Sequence, residues 1–237
     1  MKQYTKFRDE IIKLCKTNNA CKGEFKRLIE TKSEKEFCNV LKDNFTWCSI
    51  NILSAELFDK HTEILNENNL YCNVNTSNGY LLVINSSVKA WGNSSVVAWV
   101  NSSVVAFENS SVVAFGNSSV VAKENSSVEA WENSSVEAWG NSSVVAKENS
   151  SVVAFGNSSV EARGNSSVEA QDNSSVKAWV NSSVVAFENS SVVAFENSYI
   201  SSYQTIKCKL NDNSIYRIRK ENTIYYSSEN LKFKKID

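Results

Sequence analysis

Between Asn85 and Glu196, apolar and polar positions follow a fixed eight-residue period, Asn-Ser-Ser-Val-x-Ala-x-x, repeated fourteen times without insertion. Asn, both Ser, Val and Ala are constant in every copy, and only positions 5, 7 and 8 vary. An unbroken short period marks a solenoid, in which each unit packs only on its neighbours. Alternation over positions 4 to 7 predicts a four-residue strand with Val and Ala on one face. Position 5 is charged in six copies (Lys89, Glu129, Glu137, Glu161, Glu169, Lys177), and position 7 is Lys123, Lys147, Arg163 or Gln171 in four. A face that accepts such side chains is solvated, so Val and Ala point inward. The remaining x-Asn-Ser-Ser is the corner, where Asn tolerates the left-handed conformation and the hydroxyls satisfy backbone groups. Identical Asn side chains stacked at about 4.8 Å can also bond along the array as a ladder.

The number of octads per coil is a separate question, and two observations compete. Small inward side chains favour a flat, two-sided coil of two octads, because a triangle of three octads leaves a void that Val and Ala cannot fill. Against this, a 24-residue step aligns Gly92, Gly116, Gly140 and Gly164, and lines up Phe107, Trp131, Phe155 and Trp179 without interruption. The packing argument is preferred. The fold class is therefore mainly β, a parallel β-solenoid of 14 octads with 16-residue, two-sided coils, the three-sided 24-residue coil being the alternative.

The flanks change period. Residues 1–70 predict a small domain of three or four amphipathic helices. Phe7, Ile11 and Cys15 share one helical stripe, Phe25, Leu28 and Ile29 a second, and Phe37, Val40 and Leu41 a third. Ser33 with Glu36 has capping-box spacing, and Ser54 can cap the last helix, with Trp47 and Cys48 in the connection before it. Residues 71–84 read as two short strands split by Thr76-Ser77-Asn78-Gly79, a joint that shields the first coil. After the array (85–196), residues 197–237 predict a β-meander cap, with a last strand at 231–236.

Charge adds little. The array carries five basic and eleven acidic side chains, net −6, and residues 197–237 carry eight and four, net +4. Neither field approaches that of a nucleic-acid partner. The six cysteines lack CxxC spacing, no signal-like or membrane-spanning apolar run occurs, and a cytoplasmic protein with reduced thiols is expected. His61 is the one histidine, and no P-loop, GxGxxG or HExxH is present, so a non-catalytic protein without cofactor or metal is expected.

The feature with functional promise is the set of ten outward aromatics, Trp91, Trp99, Phe107, Phe115, Trp131, Trp139, Phe155, Trp179, Phe187 and Phe195. Exposed apolar patches above a few hundred Å² mark contact surfaces. The competing structural reading is a stacked ladder of rings. A protein-binding face for another protein or a second copy, hence a possible homodimer, is the leading expectation, with a self-assembling spacer as the alternative. A further alternative is a nucleic-acid contact at the basic C-terminal segment, through Arg217, Arg219, Lys220, Tyr225, Tyr226, Lys232, Lys234 and Lys235.

The octads Gly92–Trp99 and Gly116–Lys123 resemble octapeptide-repeat proteins of bacteria, phages and mobile elements. The segments Asn19–Lys22, Leu70–Val74 and Ile215–Lys220 are similar to those that bracket such repeats. The resemblance implies no enzymatic activity. Its context of phages and mobile elements implies an anti-defence protein, such as an inhibitor of a CRISPR nuclease, that acts by binding a host effector.

Overall fold

The structure, a computed structural model, describes residues 2–227. Six short helices come first: α1 (Lys2–Thr17), α2 (Lys22–Ile29), α3 (Glu34–Asp43), α4 (Phe45–Asn51), α5 (Ala55–Lys60) and α6 (Thr62–Glu67). Ser33 accepts from the Glu36 amide (3.2 Å) and Ser54 from the Leu57 amide (3.2 Å), so both expected caps form. Trp47 and Cys48 lie inside α4 rather than in a connection. Phe7, Ile11, Phe37, Leu41 and Leu65 are fully enclosed in the core of this domain.

Strands then wind into a two-sided parallel solenoid. The first are β1 (Leu70–Cys72), β2 (Tyr80–Ile84), β3 (Ser87–Ala90) and β4 (Ser95–Trp99); further strands follow, one per octad, from β5 (Ser103–Ala106) to β16 (Ser191–Ala194). Pairing joins Ser143 to Ser159 and Ser151 to Ser167, a step of two octads. The two-sided coil is the one formed. Odd-numbered octads supply seven strands of one ten-stranded sheet, the odd face, and even-numbered octads seven of the other, the even face, with the flanks adding three strands to each. Phe107 and Trp131 therefore sit on opposite faces, and the 24-residue aromatic column does not exist. One continuous core of Val and Ala fills the space between the sheets; bulkier side chains would not fit, and smaller ones would leave voids.

The corners differ from expectation in one respect. The residue that is left-handed in every octad is position 8, as at Glu108, Glu132, Asp172 and Gly164 with φ of 60°, 59°, 55° and 68°, whereas Asn is left-handed only at Asn85 (48°) and Asn101 (56°) of the array. Glycine recurs at that position because it adopts positive φ without strain. Asn instead forms the ladder, with Asn141 Nδ2 to Asn125 Oδ1 at 3.4 Å and Asn157 to Asn141 at 3.4 Å. From Ser94 onward the first Ser of each octad is buried, and in most copies its hydroxyl donates to the position-7 carbonyl of its own corner, as from Ser110 to Phe107 (2.8 Å), while Ser174 Oγ has no partner. Several also reach the coil before, as from Ser134 to the Gly116 carbonyl (3.0 Å).

Both flanks belong to the solenoid more than the sequence suggests. β1 and β2 pair in parallel as the first two rungs of the even face. Thr76 bridges Ala90 and so covers the outer edge of β3. Gly92 is required there, since a Cβ would collide with the Ser77 carbonyl oxygen. The expected meander shrinks to one hairpin. β17 (Tyr199–Ser202), β18 (Lys207–Leu210) and β19 (Ile215–Ile218) continue as parallel rungs, and only β20 (Thr223–Tyr226) turns back, antiparallel to β19. Ile200, Tyr216 and Ile218 keep the inward positions filled, which is why the parallel register survives the loss of the octad. The strand expected at 231–236 lies outside the described residues.

Candidate docking faces

Position 7 follows each strand, so its side chains form one column per face. On the odd face the column is Trp91, Phe107, Lys123, Trp139, Phe155, Gln171, Phe187 and Tyr203; on the even face it is Trp99, Phe115, Trp131, Lys147, Arg163, Trp179 and Phe195. Neighbouring rings stack nearly parallel: Trp99 on Phe115 (4.4 Å between centroids), Trp139 on Phe155 (4.1 Å) and Trp179 on Phe195 (3.9 Å). Where lysine interrupts a column it caps the ring beside it, with Lys147 Nζ 3.7 Å above the Trp131 ring. The ladder is real, and most rings are half-buried in it; within the octads Trp139 is the most open at 39%, and Tyr203 beyond them reaches 56%.

The two faces differ in what lies on them. On the even face the helical domain is seated over the first rungs. Leu82 and Val97 are sealed beneath it, and Tyr80, Ile84, Trp99, Val113 and Phe115 pack against the same core. Trp99 and Phe115 are therefore anchors for this protein's own helices, not open contact residues. Burial of Val97 to 1% exposure, at a position that is charged in other octads, shows how complete that contact is. Further along, both carboxylates on the even-face strands are paired, Glu129 with Lys147 (2.5 Å) and Glu161 with Arg163 (2.8 Å).

Among the described residues nothing sits on the odd face. Val105/Phe107, Val153/Phe155 and Val185/Phe187 are half-buried pairs of the kind the helices cover on the even face. Its carboxylates have no cation. Glu137 accepts from Trp139 Nε1 (2.8 Å) and Glu169 from Gln171 Nε2 (2.7 Å), both neutral donors. Glu108, Glu124, Asp172 and Glu188 stand exposed along the corner that borders the face. From β5 to β15 (Ser183–Ala186) the odd-face strands thus present two carboxylates outside any ion pair, Glu137 and Glu169, and one base at position 7, Lys123. The sequence marks Glu137 and Glu169 as outward but not as sharing a face; the parity of the copies is the signal that places them together, once two octads per coil are granted.

Of the expected nucleic-acid residues, Arg217, Arg219, Lys220, Tyr225 and Tyr226 lie in one hairpin, β19–β20. Arg217, Arg219 and Lys220 are exposed at the odd-face end, Tyr225 stacks on the buried Tyr216 (6.0 Å), and Lys207 and Lys209 stand on the opposite sheet. Tyr226 is half-exposed on β20; Lys232, Lys234 and Lys235 lie outside the described residues. In the helical domain His61 is buried against Phe7, with Nε2 2.9 Å from Glu10 and Nδ1 without a hydrogen-bond partner. Cys15, Cys38 and Cys48 are free thiols whose burial pushes their pKa up to about 11, 12 and 12. They are protonated at neutral pH and weak nucleophiles. No cluster suited to a metal ion and no helix long and apolar enough to cross a membrane occurs among the described residues.

Comparison with protein-family models, curated proteins and solved structures finds no match to this chain. The fold and the surface are what a functional reading can use.

Proposed function

We propose that the protein is a non-catalytic docking rod whose odd face binds a protein partner. One observation supports this above the others. The chain seats its own helices on Val-x-aromatic pairs of the even face, while equivalent pairs on the odd face are uncovered. A surface that holds one folded domain through its position-5 and position-7 side chains is chemically suited to hold another. Trp91, Phe107, Trp139, Phe155 and Phe187 then supply the apolar contact, and the stacking of Trp91 on Phe107 and of Trp139 on Phe155 keeps those four rigid, so little of their side-chain entropy is lost on binding. The resemblance to repeat proteins of phages and mobile elements makes host defence effectors, including CRISPR nucleases, the first partners to screen.

Capture of a partner by the intact protein, compared with Val105→Asp/Val153→Asp on the odd face and Val145→Asp on the even face, tests the reading. Loss of the partner with the odd-face variant alone is expected. Retention by that variant, or loss with Val145→Asp, overturns it.

A further inference from the structure

We infer that the odd face is a binding site for a basic amphipathic helix of a partner protein, lying along the rod axis; this deepens the docking role proposed above. Three observations carry it. The first is spacing. Successive rungs of one face are about 4.8 Å apart, while helix residues at i, i+3/i+4 and i+7 advance about 5 and 10.5 Å. A helix laid across the strands therefore meets each rung with one residue of its apolar stripe. The stretch from β5 to β15, six rungs, fits a helix of about 18 residues.

The second is charge. Glu137 and Glu169 stand two rungs apart on the odd face, on β9 (Ser135–Ala138) and β13 (Ser167–Ala170). That is about 10 Å, the reach of a Lys or Arg pair at i and i+7. Their even-face counterparts Glu129 and Glu161 already hold Lys147 and Arg163; Glu137 and Glu169 hold only neutral donors. Covering an uncompensated carboxylate with an apolar surface is costly, so an uncharged or acidic helix is disfavoured and a basic one is selected. The corners on either side of the face are acidic as well, with Glu108, Glu124, Asp172 and Glu188 on one and Glu132, Glu148 and Glu196 on the other.

The third is shape. A depression of about 370 Å³ lined by Glu169, Gln171, Phe187, Glu188 and Tyr203 opens at the C-terminal part of this face. It offers an apolar wall for a lysine or arginine stem and two carboxylates for its head.

The test uses the full chain and two synthetic 18-residue helical peptides with the same leucine stripe. One carries Lys at the two i, i+7 positions that flank the stripe, the other Glu. Isothermal titration should show the Lys peptide binding at least tenfold tighter, with the preference reversed in Glu137→Lys/Glu169→Lys. Glu129→Gln/Glu161→Gln on the even face should leave both affinities unchanged, and circular dichroism should show every variant folded. Equal affinities, no binding of either peptide, or an even-face variant that matters as much overturns the helix site. A concentration-dependent dimer abolished by Glu137→Lys/Glu169→Lys also overturns it, because a second copy would then be the occupant. These outcomes stand apart from partner capture: a partner lost with Val105→Asp/Val153→Asp, while neither peptide binds, refutes the helix and leaves the docking face in place.

Discussion

The two faces of the rod come from one octad and differ in almost everything outside the core. Inward, both present the same Val and Ala, buried to the same degree. Outward, the even face is occupied by the helical domain and by its own ion pairs, whereas the odd face keeps apolar pairs and lone carboxylates in solvent. Repetition therefore specifies the scaffold, and departures from it, sorted by parity, specify the surface. Because consecutive octads alternate between faces, a substitution and its counterpart in the next octad act in different environments.

Val97→Asp against Val105→Asp is the sharpest way to break this comparison. The two positions are equivalent in the octad, but Val97 lies under the helices. A buried, unpaired charge there should cost about 4 kcal/mol, while Val105→Asp should cost under about 0.5 kcal/mol as a surface change. Chemical denaturation measures both, and equal costs would mean that the helical domain does not sit on the even face. Next in size are inward changes, which should ignore parity. Ala138→Leu on the odd face and Ala146→Leu on the even face should each lose about 1–3 kcal/mol through overpacking, read as similar drops in melting temperature.

Acid should separate the helical domain from the rod. Hydrogen bonds from Lys60 and His61 hold the Glu10 carboxyl below its ordinary 4.5. A carboxyl whose pKa is lowered by folding adds stability above pH 4.5 that disappears as pH falls through the folded value. The Val/Ala core has nothing to protonate. Hydrogen exchange between pH 5 and 3 should therefore show the helices loosening first in the wild type, and Glu10→Gln should flatten that dependence. Smaller still is Lys147→Ala, which removes an ion pair and a cation–π contact from the even face for about 0.5–1 kcal/mol. On the odd face Glu137→Gln has no cation to lose and should be neutral within about 0.5 kcal/mol by thermal melt. Val180→Gly should act in the opposite direction and stabilise. Val180 holds φ of 62°, a conformation costing a β-branched residue about 1–2 kcal/mol, and glycine's greater freedom in the unfolded chain offsets part of the relief. A gain of about 0.5 kcal/mol should result.

What the sequence determined by itself is local and periodic. Strict alternation at Val and Ala decides which side chains face inward, and the uniform small volume of that core decides that two sheets, not three, enclose it. The Ser33 and Ser54 caps and the Asn ladder were legible for the same reason, since each depends on residues a fixed step apart. The left-handed corner at position 8 was not, because glutamate and valine occupy it as well as glycine, and the coil imposes the conformation on them. Nor could a one-dimensional pattern show that Trp99 and Phe115 would be covered while Phe107 and Phe155 stayed open. That is decided by which face the helices reach. The same holds for charge: Glu129 and Glu137 are one octad apart, yet Lys147 pairs with Glu129 while Lys123, on the rung beside Glu137, lies over the Phe107 ring instead. Side chains from successive coils meet only because the coil closes.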